Sequence, residues 1–315
     1  MAKENMKHIP VFYSSNENYA QPLTVSMYSI LANTSHHVDF YIMENDITPE
    51  TKQKMQESLK DFDNFSLNFI HVNDGDLEGC PNLLWFTKCT YFRYFMPGLC
   101  PHVKKAVYLD VDIILKSDIE ELFSIDLDGF SLGASAGERG FLDQAEWLWR
   151  HLEKVGLSKT HNYFGAGVLL IDLDLWRDLG MTEKLIQTTQ KLSYLLKYPD
   201  QDVLNIIYND NQFKDIGFLW GGANSCASSE TEQNKKLVDA YKLVHFCGQN
   251  KPWCKICNFD SWFWKYATQT VFYSRPSLFQ VWFLFFKYFF CLSSKRSLFK
   301  EEYLWKKRVR SLCLG

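Results

Sequence analysis

The sequence predicts an α/β protein with a Rossmann-like, mixed but mostly parallel sheet flanked by helices. Three observations carry that expectation. From residue 8 to residue 72, short apolar runs alternate with helix-period stretches in the order strand, helix, strand, helix, strand, an order that pairs the strands in parallel through right-handed crossovers. The run AVYLDVDIIL at 106–115 is apolar on both of its alternating faces outside two aspartates, as suits a strand covered on both sides. With 315 residues, 46% hydrophobic and 23% charged, the chain has an ordinary globular composition and enough length for one large core or two modest ones.

Taken in order, 8–14 (HIPVFYS) reads as the first buried strand, and SSNEN after it as a loop at its carboxyl end. Residues 19–33 read as a helix, 39–44 as a strand, 49–60 as a helix capped by Thr48, and 67–72 as a strand. The stretch 87–96 (TKCTYFRYFM) carries aromatic residues at helical spacing around Arg93, and Pro97-Gly98 is expected to end it. Arginine on such a helix usually extends to water. Its functional alternative is a guanidinium held near an anionic ligand. Beyond 106–115 follow a short helix at 117–123, a small-residue strand at 131–136, an amphipathic segment at 141–155 and a buried strand at 165–171 entered through two glycines. A helix at 181–196 stops at Tyr198-Pro199, another starts at Asp200, and LVHF at 243–246 is a last short strand.

Asp110 and Asp112 fall at the carboxyl half of a buried strand, where ligands gather in open α/β sheets. On an extended backbone both side chains face one way, and two carboxylates so placed call for a cation. The triplet alone proves little, because Asp-x-Asp occurs six times, starting at Asp61, Asp74, Asp110, Asp126, Asp172 and Asp200. Asp172 and Asp174 read as helix caps.

The remaining composition separates body from tail. Residues 271–315 hold nine Lys/Arg and two Asp/Glu, leaving 25 basic against 35 acidic residues elsewhere. Hence the chain divides into a body at 1–265 and a tail at 266–315, with an aromatic run at 277–292 before a basic one at 295–310. The tail reads as a peripheral attachment to an anionic membrane surface, with folding back on the sheet as the alternative. Nothing at the start of the chain resembles a signal peptide and no apolar run reaches transmembrane length, so a cytoplasmic protein, peripheral on the inner face of the cell membrane, is expected. Nine cysteines, an odd number, fit reduced thiols. No nucleic-acid partner is expected.

Read together, YSSNENY, CTYFR, YLDVDIIL, FGAGVLLIDL, PDQDVLN and HFCGQNKPW stand in the order and spacing of family 8 glycosyltransferases. Over about residues 8–265 the chain resembles the bacterial lipooligosaccharide galactosyltransferases and glucosyltransferases of that family. The resemblance implies a GT-A fold, a nucleotide-sugar donor, UDP-galactose or UDP-glucose, a glycan or glycolipid acceptor, Mn²⁺ with Mg²⁺ as a substitute, and retention of anomeric configuration. It also implies that Asp110, Asp112 and His245 hold the metal, that Lys251 and Arg93 face the diphosphate, and that Gly248 lets the backbone approach the ligand. Asn16, Asn18 and Tyr19 would line the nucleoside side, Asn16 standing where the family usually has an acidic residue for uracil. Val111, Ala166 and Gly167 would lie along the donor, and Asp200 and Gln201 near its anomeric carbon as the catalytic pair. Two departures sit around the transferred sugar: Gly165 replaces a common Asn, and Gly137-Glu138 replaces a common Asp.

Two other readings stay open on the residues. His245, Cys247, Cys254 and Cys257 offer a closed zinc site and a zinc-stapled membrane adaptor without chemistry. A nucleotidyltransferase making sugar nucleotides is the second enzyme reading, although no glycine-rich phosphate loop follows the first strand.

Overall fold

The computed structural model describes residues 7–82, 87–136, 150–151, 153–158, 160–224, 236, 238–248, 251–254 and 257–273. Within them, β1 (His8–Ser15), β2 (His37–Glu44), β3 (Phe65–His71), β4 (Lys105–Leu109), β6 (Leu132–Ala136), β7 (Phe164–Asp172) and β8 (Lys214–Asp215) form one sheet in the order 3-2-1-4-7-6-8. β1 to β4 pair in parallel, β7 runs antiparallel to both neighbours, and β8 is parallel to β6. The expected mixed, mostly parallel sheet is therefore present.

Alternation on each strand explains the apolar runs. Ile9, Val11 and Tyr13 of β1 and Val107 and Leu109 of β4 point to the face covered by α1 (Ala20–Leu31) and α2 (Pro49–Ser58). Phe12, Ala106 and Tyr108 point to the other face, against Tyr91, Phe92 and Tyr94, α5 (Leu173–Asp178), α6 (Met181–Leu192) and α7 (Pro199–Ile207). Neither face has room for a polar position until the strand ends. The caps follow local chemistry: Thr48 accepts from the Thr51 amide at the start of α2, and Asp172 accepts from Leu175 at 2.9 Å at the start of α5.

Three elements differ from expectation in ways that position the site. The run 106–115 is not one strand. β4 ends at Leu109, Asp110-Val111-Asp112 turns, and β5 (Ile113–Leu115) leaves for a second sheet of order β5-β10-β9 with β10 (Leu243–His245) and β9 (Ala223–Asn224). The segment Lys88–Phe95 is a 3-10 helix and not an α-helix, and Pro97 opens the short α3 (Met96–Leu99) where it was expected to stop one. The boundary expected at 265/266 falls inside α8 (Asp260–Ala267), whose Phe263, Tyr266 and Ala267 are buried with Val25, Ile114 and Phe246; the body thus runs through Tyr273. The tail beyond 273, Gly137-Glu138 and most of the segment 141–155 lie outside the described residues. Among the described residues no helix is long and apolar enough to cross a membrane.

Candidate active site

Topology brings three chain segments to one point. Because β7 is antiparallel to β4, its beginning lies beside the end of β4: Leu109 pairs with Val168, and the Asp110 amide donates to the Gly167 carbonyl at 2.8 Å. Because β5 pairs with β10, Ile113 stands opposite His245, and the Phe246 amide donates to the Asp112 carbonyl at 3.0 Å. The aspartates converge because a turn between two sheets is closed by both of them. Extended-strand geometry, the reason the sequence suggests, is not the cause.

His245 Nε2 lies 3.1 Å from Asp112 Oδ1 and 3.7 Å from Asp110 Oδ2. One ligand atom from each of the three residues falls within 4.8 Å of the others, the expected metal trio. Gly167 is required here by close approach: a Cβ on it would stand 2.5 Å from His245 Cε1 and 2.9 Å from Asp110 Oδ2. Lys251 bonds Asp112 Oδ2 and donates to the Phe246 carbonyl at 2.8 Å. Burial alone would raise the Asp112 carboxyl, but the Lys251 ammonium and His245 outweigh it and hold that carboxyl well below the usual range. Burial also works against charge on His245, and the neighbouring Asp112 overrides it and raises the imidazole. The side chain of Asp110 is 31% exposed, enough for a ligand to reach it, yet desolvation still pushes its carboxyl up against the pull of Arg93.

Arg93 occupies the floor. Its guanidinium donates to Asp110 Oδ1 at 3.0 Å, to the Ala166 carbonyl at 2.6 Å and to the Thr90 carbonyl at 3.1 Å, and pairs with Asp200 Oδ2 at 3.1 Å. It lies 4.0 Å from the Tyr108 ring centroid and is 3% exposed. Of the two sequence readings for Arg93, extension to water is thus excluded. A buried guanidinium needs carboxylates around it, and it has two. Its donors are aimed at Asp110 and Asp200.

The first turn of α7 supplies the other wall. Thr90 Oγ1 donates to Asp200 Oδ1 at 2.7 Å, so both oxygens of this buried carboxylate are engaged. The Ala166 amide donates to Gln201 Oε1 at 3.1 Å, and Gln201 Nε2 donates to the Tyr163 hydroxyl at 3.0 Å. That hydroxyl donates to Asp202 Oδ1 at 2.6 Å, while Asp202 Oδ2 takes His151 at 2.9 Å and the amides of Lys197 and Tyr198. Gly165 is exposed, and among the described residues a Cβ there would have only Gln201 Oε1 nearby, at 3.9 Å.

On the nucleoside side, Asn16 follows β1 almost fully buried, and its Oδ1 finds no hydrogen-bond partner among the described residues. A buried carbonyl left unpaired costs about 1–3 kcal/mol, which a ligand N–H would recover. Tyr19 packs edge-on against Trp253 at 6.3 Å and joins this loop to that of Lys251. Asn18 is exposed and Val111 half-buried. Gly248 is exposed with φ 79°, a backbone only glycine adopts freely. Glu17 does not face the site; its carboxylate accepts from the Thr48 amide and the Thr51 hydroxyl at the start of α2.

Sequence reasoning missed Thr90, Tyr163, Asp202 and His151. Thr90 stands three residues before Arg93, one turn of a 3-10 helix, and Asp202 lies inside PDQDVLN, so both had a local signal. Tyr163 and His151 had none. His245, Cys247, Cys254 and Cys257 do not assemble a metal cluster among the described residues; His245 faces the two aspartates instead.

The comparisons with known proteins bear on the family and the fold. The model of the family described as Glycosyl transferase family 8 matches residues 10–257. A putative glycosyltransferase of Haemophilus influenzae is 30% identical over 253 residues, 79% of this chain and 74% of that protein. The lipopolysaccharide 1,2-glucosyltransferase of Escherichia coli is 28% identical over 257 residues, 78% of this chain and 72% of its own length. Among solved structures, a galactosyltransferase, LgtC, bound to donor and acceptor sugar analogues superposes with a TM-score of 0.71 at 24% identity, over 84% of this chain and 96% of that one; it shares the fold, which is of the GT-A type.

Proposed function

We propose, for a chain that belongs to glycosyl transferase family 8, the transfer of a hexose, glucose or galactose, from a UDP-sugar to a cell-surface glycan or glycolipid acceptor with retention of configuration. The observation that carries this reading is the convergence of Asp110, Asp112 and His245, with Lys251 bonded to the same Asp112. The likeness to the lipopolysaccharide 1,2-glucosyltransferase of Escherichia coli supports a hexose and a surface glycan.

The donor set fits a divalent cation that accepts mixed oxygen and imidazole ligands, as Mn²⁺ does, and the Gly167 cradle leaves the space for it. Asp110, Asp112 and His245 would hold it, and when bound it supplies positive charge that stabilises a departing diphosphate. Lys251 offers a second positive point to the phosphates. Asn16 Oδ1 accepts from the uracil N3–H, which satisfies its unpaired state.

At the anomeric centre, Asp200 is a poor nucleophile because Arg93 and Thr90 hold both of its oxygens. The Gln201 amide is tied at one end to Ala166 and at the other to Tyr163. This arrangement favours front-face substitution, in which the leaving diphosphate takes the acceptor proton and configuration is kept. The test is to follow UDP release from UDP-glucose and UDP-galactose with Mn²⁺, with Asp112→Asn as control. Metal-dependent release by the parent alone supports the reading, and equal release by the variant sinks it. A glycosyl adduct on Asp200, seen by mass spectrometry, would replace the front-face course with a covalent one.

A further inference from the structure

A second cluster lies at the opposite end of the sheet. β1 and β2 are paired in parallel with His8 opposite His37, and Asp39 follows His37 by two residues on the same face. The imidazole centroids are 4.4 Å apart. Asp39 contacts both rings: His8 Nδ1 is 3.0 Å from Oδ2, and His37 Nε2 is 3.3 Å from Oδ1. One ligand atom of each residue lies within 4.8 Å of the other two. The edge of a tetrahedral zinc site with bonds of about 2.0–2.1 Å spans about 3.3 Å, so these contacts already have the spacing of neighbouring ligands.

The carboxylate is also oriented from behind. β3 pairs with β2 so that Ser66 stands opposite Asp39. Its hydroxyl donates to Asp39 Oδ1 at 2.8 Å, and Asn68 Nδ2 donates to the Ser66 hydroxyl at 3.1 Å. A ligating carboxylate fixed by its own hydrogen bonds is characteristic of built metal centres. The side chain of His8 is 67% exposed while His37 and Asp39 are about one-fifth exposed, which leaves an open side for water as a further ligand. Its neighbour His36 is otherwise engaged, accepting from the Lys7 amide.

We infer that His8, His37 and Asp39 form a second divalent-metal site, separate from the donor site, which takes a borderline transition metal of the zinc class. Two imidazoles and one carboxylate select zinc over the oxygen-preferring Mn²⁺ and Mg²⁺. The bound ion joins the first residue of β1 to β2 and binds only the folded chain, so it stabilises the sheet by mass action. It does not enter the transfer reaction, since it sits at the first residue of β1 while Asn16 follows the last, about 26 Å away at the rise of a strand.

The test uses the full chain freed of metal, with the donor site silenced by Asp112→Asn and His245→Gln. Zinc chloride is titrated by calorimetry into this background and into the same background carrying His8→Gln, His37→Gln or both. One equivalent is expected to bind, with affinity about tenfold or more lower for each single replacement and lost in the double one. Cobalt substituted at the site should give visible ligand-field bands without thiolate charge transfer, which separates it from cysteine binding. His8→Gln, at an exposed position, should leave metal-free thermal unfolding and UDP release of the otherwise unmodified chain at parental values, while removing the zinc-induced rise in melting temperature. Zinc binding that is indifferent to both histidines, or cobalt spectra with thiolate charge transfer alone, overturns the proposal.

Discussion

Asp112 is the residue through which the two halves of the site are joined, since its carboxylate meets His245 and Lys251 and its carbonyl takes the Phe246 amide. Replacing it with Asn removes one ligand and leaves Lys251 without its anionic partner. The expected outcome is a loss of metal-dependent UDP release of about a hundredfold or more, read by a coupled UDP assay, since a bound cation is worth several kcal/mol of charge stabilisation. Asn16→Ala should act differently, raising the donor KM about tenfold at nearly constant kcat, because one hydrogen bond to the base is lost in ground and transition states alike. A change confined to kcat would contradict the nucleoside role. At this scale the sequence was informative where chemistry needs particular residue types: Asp110, Asp112, His245 and Lys251 do gather. It was silent on Tyr163 and His151, because a buried hydrogen-bond partner leaves no mark on spacing. The sequence placed Arg93 near an anion, and the anions it meets in the fold are Asp110 and Asp200.

Among elements, the start of β7 and the first turns of α7 form one hydrogen-bonded unit. Asn205 accepts from His161 Nε2 and from the Phe164 amide, both at 2.9 Å, and donates to the carbonyls of Phe164 and Gln201. His161 Nδ1 accepts from the Asn211 amide, so the ring is satisfied only as the neutral tautomer with its proton on Nε2. Burial lowers this imidazole below its ordinary value, and charging it would set Nδ1–H against the Asn211 N–H. The unfolded chain therefore binds the extra proton first. Stability is complete above the ordinary imidazole value near 6.5 and declines as pH falls below it. Because the raised His245 contributes a slope of opposite sign, the His161 part is read as a difference: in urea unfolding the stability gap between the parent and His161→Gln should shrink as pH falls from 7.5 to 5.5. Tyr163→Phe should cost about 1–3 kcal/mol in the same assay and lower kcat, because Gln201 loses its anchor and the buried Asp202 loses a donor. The strand pattern was legible from the sequence because both faces of β1, β4 and β7 are apolar. The break between β4 and β5 was not, since Ile113–Leu115 is as apolar as the strand it leaves and only the pairing with β10 draws it away.

For the molecule as a whole, the layered α/β order was readable because alternating strands and helices leave few topologies open. The edge pair β6 and β8 was less so, β8 being two residues long. The basic tail remains a proposal about membranes: replacing Lys306, Lys307, Arg308 and Arg310 with Gln should reduce co-sedimentation with anionic vesicles, at about 1 kcal/mol for each charge removed, and leave binding to neutral vesicles unchanged. The order in which the chain is made adds a consequence of the two-sheet turn. Asp110 and Gly167 are synthesised well before His245 and Lys251, and β5 has no partner until β10 exists. A nascent or prematurely ended chain therefore carries the acidic half of the centre alone. Until His245 and Lys251 follow, neither the three-residue cluster nor the ammonium contact to Asp112 can form.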